Sequence, residues 1–254
     1  MVYNTSGVRQ AGPIIVTSTA ILPTLSRVDV VSINNTDFII GWTNVTASGK
    51  NASAVLAGFS RRGGAIPTIT ATVVEGNMGN VTNNLPRAHA ISLSYFTGNS
   101  AVGYAYVNKS GDKIAFRTFN STTGAVLGGL NPVVILNPLL GNITYNLSNG
   151  VDFVAINASA GVVFEYDSGL DNDTTFHIVS AGNVELLTDT DIDAAAGNWN
   201  VSAIPLQPEV AVASMNNATG GNLFALVWQN ASGIRVAVRQ GIDGVAVPNT
   251  GTET

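Results

Sequence analysis

The sequence holds no cysteine, two histidines and only 11% charged residues over 254 positions. Without cysteine there is no disulfide framework and no thiolate zinc site. A chain of this length buries roughly three-quarters of its unfolded surface and can fold without such staples. His89 and His177 lie far apart in the chain, each inside a stretch that reads as strand, and no Gly-x-Ser-x-Gly motif accompanies them. A histidine triad or a histidine zinc site is therefore unsupported. Neither a Walker-type phosphate loop nor a Rossmann fingerprint is present, so the glycines are read as hairpin residues. No apolar run approaches the ~18 residues of a membrane span. Arg61-Arg62 is the only close basic pair, which disfavours nucleic acid as a partner. Disorder is excluded in turn, because 45% of the residues are apolar and the mean hydropathy is +0.27.

A charged fraction below half of the usual ~25% leaves solubility to other groups. The chain supplies 27 Asn, 19 Ser and 24 Thr. Asn-x-Ser/Thr occurs 14 times, at Asn4, Asn34, Asn44, Asn51, Asn80, Asn108, Asn120, Asn142, Asn146, Asn157, Asn172, Asn200, Asn217 and Asn230. Chance placement would give roughly 4 to 5, so the glycan-acceptor pattern is enriched about threefold. The reading is an exported, N-glycosylated protein found outside the cell or on its surface. Asn-rich turn chemistry competes as an explanation for some of these positions. Residues 1–26 do not read as a signal peptide, since Ile14-Ile15-Val16 is soon broken by Thr17, Ser18 and Thr19. Export would then mean a removed leader or a longer parent chain, and residues 250–254 read as a linker.

Four segments of the chain resemble one another. They centre on Trp42, Tyr104, Phe164 and Trp228, spaced 62, 60 and 64 residues apart. Each is preceded by an alternating or apolar run, such as Val28-Asp-Val-Val-Ser-Ile33 and Val151-Asp-Phe-Val-Ala-Ile156, and followed by another. Period-two alternation, β-branched residues and frequent turn clusters predict strands throughout and no helix. The expected division is 1–26 as a closing or donated strand, repeats at 27–85, 86–138, 139–207 and 208–247, and a tail at 248–254. Prolines 23, 86, 138 and 208 mark the boundaries. The fourth repeat lacks an obvious fourth strand. Pro13-Ile-Ile-Val-Thr-Ser-Thr-Ala-Ile-Leu22 is available to complete it, within one chain or in a neighbouring subunit.

Four units of about four strands predict an all-β, four-bladed propeller-like architecture. Two β-sandwich domains, divided near residues 137–150, would also explain the period. The fourth repeat, Phe224-Ala-Leu-Val-Trp228-Gln229, Ile234–Arg239 and Asp243-Gly244-Val245, resembles the propeller-type repeats of secreted bacterial adhesins and RTX-like surface proteins. The first two repeats match partly, through Phe38, Trp42, Gly64 and Gly124, and the third hardly at all. The resemblance implies a blade architecture and extracellular residence, and no activity.

Two acidic groupings stand out. Glu165 and Asp167 would share one strand face, as a carboxylate pair for glycoside hydrolysis would require. Asp189, Asp191 and Asp193, with Asp171 and Asp173 upstream, alternate as ligands of a hard cation such as Ca²⁺ do. Ala194 and Asn200 replace the Gly and Glu that an EF-hand loop needs, and a solvated acidic loop is the simpler reading. The sequence thus predicts no catalytic residue, no resident metal and no cofactor beyond covalent glycans. Charge is divided along the chain: residues 1–117 carry net +5, and residues 118–234 carry net −10 with no Lys or Arg. A subunit with one positive and one negative part suits head-to-tail self-association. The expected function is a structural subunit of a glycosylated filament or surface layer. The alternative is a carbohydrate-binding or adhesive propeller, with Ca²⁺ as a possible ligand. An enzyme is set aside.

Overall fold

The computed structural model describes residues 2–3, 6–11, 28–45, 52–60, 69–76, 91–108, 113–128, 134–137, 151–167, 173–192, 210–216, 222–230 and 233–247. Every regular element among them is a strand. The first pair, β1 (Val2–Tyr3) and β2 (Arg9–Ala11), forms a hairpin of its own. Sheet 1 contains β3 (Val28–Ser32), β4 (Asp37–Val45), β5 (Ala52–Ser60) and β6 (Thr72–Glu75). Sheet 2 contains β7 (Ile91–Phe96), β8 (Ala101–Asn108), β9 (Lys113–Asn120) and β10 (Val134–Asn137). Sheet 3 contains β11 (Val151–Ala155), β12 (Ala160–Asp167), β13 (Asp173–Ser180) and β14 (Glu185–Asp191). Sheet 4 contains β15 (Val210–Asn216), β16 (Asn222–Asn230), β17 (Gly233–Gln240) and β18 (Val245–Ala246). Strands within each sheet are antiparallel neighbours in chain order.

The sheets pack consecutively through their first strands, β3 beside β7, β7 beside β11 and β11 beside β15. One apolar cluster joins sheets 1 and 2, around Ile39, Leu56, Leu93, Tyr104 and Phe119. A larger one joins sheets 2, 3 and 4, around Phe116, Phe153, Phe164, Phe176 and Phe224. The core therefore runs straight across residues 137–150, where a pair of sandwiches would have divided it. The architecture is all-β and propeller-like, with four blades. Among the described residues, no interface of comparable size brings sheet 4 back to sheet 1.

The terminal sheets keep an apolar outward face. On sheet 1, Trp42, Val55, Ala57 and Phe59 form a separate third cluster and are buried within the chain, and only Val28 and Val30 beside them are exposed. On sheet 4, Ala211, Ala213, Met215, Ile234 and Val236 are exposed, and Leu223, Ala225, Val227 and Val238 are half-buried. Register puts these residues on one face, because Ala211, Ala213 and Met215 pair with Val227, Ala225 and Leu223.

Two details differ from the sequence reading. Sheet 4 does carry an outer strand, but β18 is a two-residue stub that pairs Ala246 with Arg239 and Val245 with Gln240. The segment Pro13–Leu22, expected to complete that sheet, lies outside the described residues. The aromatic period also slips in sheet 3. Trp42, Tyr104 and Trp228 pair with Val28, Leu93 and Val210, whereas the residue opposite Val151 is Glu165. Phe164 sits one place earlier, on the other face, with its ring edge-on to Trp228 at 6.3 Å and 80°. An alternating strand moves a side chain across the sheet for each one-residue shift.

Glycine makes the close approach of neighbouring sheets possible at two equivalent points. A Cβ on Gly41 would stand 2.6 Å from Leu93 Cδ1, and one on Gly103 would stand 2.4 Å from Phe153 Cε1. Both distances are inside van der Waals contact, and Phe153 is wedged further by Phe116 at a ring separation of 5.0 Å. Gly103→Ala is expected to overpack this joint and cost about 1–3 kcal/mol. Denaturant unfolding checks it; a loss below about 0.5 kcal/mol, the scale of surface changes, would contradict the packing described.

Candidate functional site

The first strand of each sheet pairs on one side only, with the second strand. Its other edge carries main-chain N–H groups that must find acceptors when neighbouring sheets cover them. Side chains of the adjacent first strand supply these. Asp29 on β3 accepts from Leu93 N–H on β7 through Oδ2 at 2.7 Å, and from Val30 N–H through Oδ1 at 2.7 Å. Ser94 on β7 accepts from Ala155 N–H on β11 at 2.9 Å. Asp152 on β11 accepts from Val212 N–H on β15 through Oδ2 at 2.9 Å. Opposite-strand register makes these three equivalent: Asp29 pairs with Gly41, Ser94 with Gly103 and Asp152 with Phe164. The corresponding residue of sheet 4 is Ala211, opposite Val227, which has no acceptor to offer.

Ser92 ties the carboxylates into one cluster. Its Oγ donates to Asp152 Oδ1 at 2.8 Å and accepts from Phe153 N–H at 3.1 Å. The Ser92 hydroxyl also favours the ionised form of the Asp29 carboxyl, the smallest of the influences on it. Burial pushes the Asp29 carboxyl above its ordinary 3.8; the hydrogen bonds from Leu93 and Val30 pull the other way, and the Asp152 charge adds to the rise. The cluster therefore holds a proton-avid carboxyl and a second carboxylate, both aimed at main-chain donors. A proton-avid carboxyl can act as an acid or a hydrogen-bond acceptor, and its first duty here is to the strand edges.

A second polar joint links sheets 1 and 2. Tyr106 donates its hydroxyl to Glu75 Oε2 at 2.9 Å, Arg117 Nη2 approaches the same oxygen at 3.4 Å, and Arg117 Nη1 donates to Val74 O. Burial raises the phenols of Tyr104 and Tyr106 well above their usual range. His177 is fully buried on β13 and meets Glu185 Oε1 at 2.9 Å across to β14, a pairing within one sheet.

The residues singled out by sequence divide as follows. Asn34 and Asn157 lie in equivalent hairpins, β3–β4 and β11–β12. Asn34 Oδ1 accepts from Thr36 N–H, Thr36 Oγ1 and Asp37 N–H, and its Nδ2 donates to Asp37 Oδ2. Asn157 Oδ1 accepts from Ser159 N–H, Ser159 Oγ and Ala160 N–H. Asn120 accepts from Thr122 and Thr123 N–H after β9. At these three sites the Asn closes a turn through Oδ1. Asn44 is half-buried on β4, with Oδ1 enclosed and without a hydrogen-bond partner. Asn108 and Asn230 end β8 and β16. Asn4, Asn51, Asn80, Asn142, Asn146, Asn172, Asn200 and Asn217 lie outside the described residues. Glu165 and Asp167 are on β12, Asp173 on β13, and Asp189 and Asp191 on β14; their side chains, together with Asp171, Asp193 and His89, are outside the description. Among the described residues, no group of three or more candidate ligands converges on a metal position.

Asp29, Ser92 and Asp152 were missed, although a signal existed. Val28-Asp29-Val30 and Val151-Asp152-Phe153 each bury an acid inside an apolar run at the start of a repeat. An acid there implies a partner that desolvation would otherwise make costly to lack.

No family model and no curated protein matches the chain. Solved structures do. A triple mutant of AofleA from Arthrobotrys oligospora aligns over 85% of this chain and 60% of its own, with a TM-score of 0.46 and 9% identity. An endo-arabinase from Bacteroides thetaiotaomicron aligns over 84% and 74%, with a TM-score of 0.40 and 9% identity. A thermostable family-43 glycoside hydrolase aligns over 89% and 77%, with a TM-score of 0.39 and 10% identity. The chain thus spans less than two-thirds of the AofleA chain's length. At this identity the likeness is one of fold. It corrects the setting-aside of an enzyme, because two of these similar structures are glycoside hydrolases. The sequence reading sets an enzyme aside on missing motifs, two distant histidines and a carboxylate pair read as solvated. Stacked sheets instead assemble side chains from distant first strands, as Asp29, Ser92 and Asp152 do.

Asp29→Ala would leave the Leu93 N–H without its acceptor and is expected to cost about 1–3 kcal/mol. Asp29→Asn keeps an acceptor and removes the ionisation. Because the folded-state pKa is raised, the stabilising contribution of Asp29 is full below 3.8 and fades as pH rises through the folded value. Wild type should therefore lose ground to Asp29→Asn as pH rises through the acid range. Paired thermal melts test this, and a stability gap that does not change with pH would contradict it.

Proposed function

We propose that this chain is a structural subunit of an extracellular, N-glycosylated assembly, a filament or surface layer, in which copies join head to tail. The observation that carries the reading is the outer edge of sheet 4, which is left open among the described residues. The stub β18 covers β17 only near Arg239 and Gln240, with one further bond from Val247 N–H to Val238 O. Ile234–Ala237 keeps a strand edge that no described strand pairs. A free edge beside exposed Ile234 and Val236 invites strand addition. The unassigned segment Pro13–Leu22, with its β-branched pattern, is the strand this chain has to offer.

Two further features support the reading. The charge division along the chain favours contact between opposite ends of neighbouring copies over like-to-like pairing. The 14 acceptor asparagines supply a hydrophilic coat where side-chain charge is scarce. Engagement of Asn157 through Oδ1 is compatible with a glycan, since the sugar is attached at Nδ2.

Electron microscopy of undigested native material is expected to show polymers, and deletion of residues 1–26 is expected to abolish them. Fibres formed by the truncated chain would sink strand donation, and a monomeric native protein would sink the assembly reading. Glycopeptide mass spectrometry should find sugar at Asn34 and Asn157 and least at the enclosed Asn44; bare asparagines throughout would remove the glycoprotein part of the proposal.

A further inference from the structure

Sheet 4 turns the usual pattern of a surface sheet inside out. A sheet packed on one face directs apolar residues inward and polar ones to solvent. On β17 both arginines share the packed side, since register sets Arg235 opposite Trp228 and Arg239 opposite Phe224, and both aromatics are buried. Ile234 and Val236 take the other side and are 74% and 48% exposed. Ala211, Ala213 and Met215 lie on that same side of β15, and Val245 on that of β18. No charged residue stands in these rows, and no asparagine, although the chain has 27. The face is thus bare of charge and of glycan acceptors alike. Large side chains this open, in rows along a sheet, are not the scattered surface residues of an ordinary monomer. We infer that the outward face of sheet 4 pairs with the same face of a second copy, about a two-fold axis. The inference goes beyond the assembly reading, because it uses the face of sheet 4 where strand addition uses the edge of β17.

Three observations select this occupant. A face without charge needs a partner without charge, since an ion brought against it would lose its water and gain no counter-charge. Among the described residues the other apolar sheet faces are already covered. Trp42, Val55, Ala57 and Phe59 of sheet 1 are buried within the chain, and the faces between successive sheets are buried against one another. The matching surface that another copy has to offer is therefore this same face. Second, a two-fold contact sets each row against its own equivalents, where any charge would meet its like. With Arg235 and Arg239 on the far side, the axis meets no such repulsion. Third, β15 spans seven residues, so β15 to β17 with the β18 stub make a face of roughly 17 by 23 Å. Two such faces cover about 800 Å² in projection, and more once side-chain relief is counted, against the roughly 1,000 Å² at which specific interfaces begin.

The internal joints show how such faces meet in this molecule. Sheets 1 to 4 stack face on face with apolar clusters between them, and Asp29, Ser94 and Asp152 fasten each joint to the next first strand. Sheet 4 has Ala211 at that place and carries no fastening. Its outward contact is purely apolar, which suits a modest and reversible joint between separate molecules. A contact between like faces closes on itself, so it makes pairs and does not propagate. By itself it gives a dimer; added to head-to-tail contacts, it ties two rows of copies side by side.

The lack of cysteine makes this contact directly readable, because a single introduced thiol can link only to its equivalent in another copy. Ala225 stands at the centre of the face, paired with Ala213 on one side and Val238 on the other. The full chain carrying Ala225→Cys or Val236→Cys is expected to give a linked two-chain species with a short bismaleimide. Val73→Cys, on β6 of sheet 1 and 60% exposed, is expected to give none. Adding Ile234→Lys to Val236→Cys should cut the linked product about tenfold, because the lysines meet across the axis without a counter-charge. Folded face variants that never link would overturn the inference. So would linkage of Val236→Cys to a differently tagged Val73→Cys, which would put another surface of the neighbour on this face. Linked pairs without polymers would uphold it and defeat the head-to-tail reading; polymers without linked pairs would do the reverse. Circular dichroism confirms folding, and Met215→Cys replaces any face variant that fails to fold.

Discussion

The unpaired edge of each first strand is the constraint around which the molecule is arranged. Four antiparallel sheets that meet through their first strands cover the free edges of β7, β11 and β15 with the sheet before. Buried N–H groups without acceptors would cost about 1–3 kcal/mol apiece. Asp29, Ser94 and Asp152 provide the acceptors, each reaching from one sheet to the first strand of the next. Shape follows from the same demand. The latch is only possible where the sheets come close, and the residues opposite Asp29 and Ser94 are glycines, against which Leu93 and Phe153 rest. The hydrogen bond and the apolar contact are thus two sides of one joint. Sheet 4 has neither device, and its far face is left apolar.

Charge plays a small part in this protein, and polar uncharged groups take over its duties. Few of the described contacts pair opposite charges; Arg117 with Glu75 is one, partly covered between sheets 1 and 2. Turns are closed instead by asparagine Oδ1 atoms, with Asn34 and Asn157 each collecting three donors. Thr36 and Ser159 contribute hydroxyl donors to these turns and also complete the glycan-acceptor triplets. Turn chemistry therefore accounts for the presence of these asparagines; at Asn157 it uses Oδ1 alone, whereas Asn34 Nδ2 also donates to Asp37 Oδ2. Enrichment across the rest of the chain carries the proposal of a sugar coat.

Strands and repeats were legible because they depend on local alternation, and every regular element among the described residues is a strand. The blade count was legible because each sheet uses one contiguous stretch of chain. What escaped reading depends on contacts between sheets. Phe164 looks equivalent to Trp42 by spacing, yet it pairs one place out of step and faces sheet 4, a difference of side that periodicity alone does not reveal. The stub β18 is too short to leave an alternating pattern. Asp29 and Asp152 are separated by more than a hundred residues, and each alone resembles any strand acid. Their association through Ser92 exists only once three sheets are stacked. For the same reason, a search for contiguous catalytic motifs could not set an enzyme aside.

Hydrogen exchange at single-amide resolution tests the role of the latched edges most directly. The amides of Leu93, Ala155 and Val212 face away from their own sheets' ladders and toward Asp29, Ser94 and Asp152. If these side chains hold the sheets together, the three amides should exchange only through global unfolding, as slowly as the paired core of β8 and β12. Exchange at the rate of a solvent-facing strand edge would show that the sheets are held by apolar packing alone.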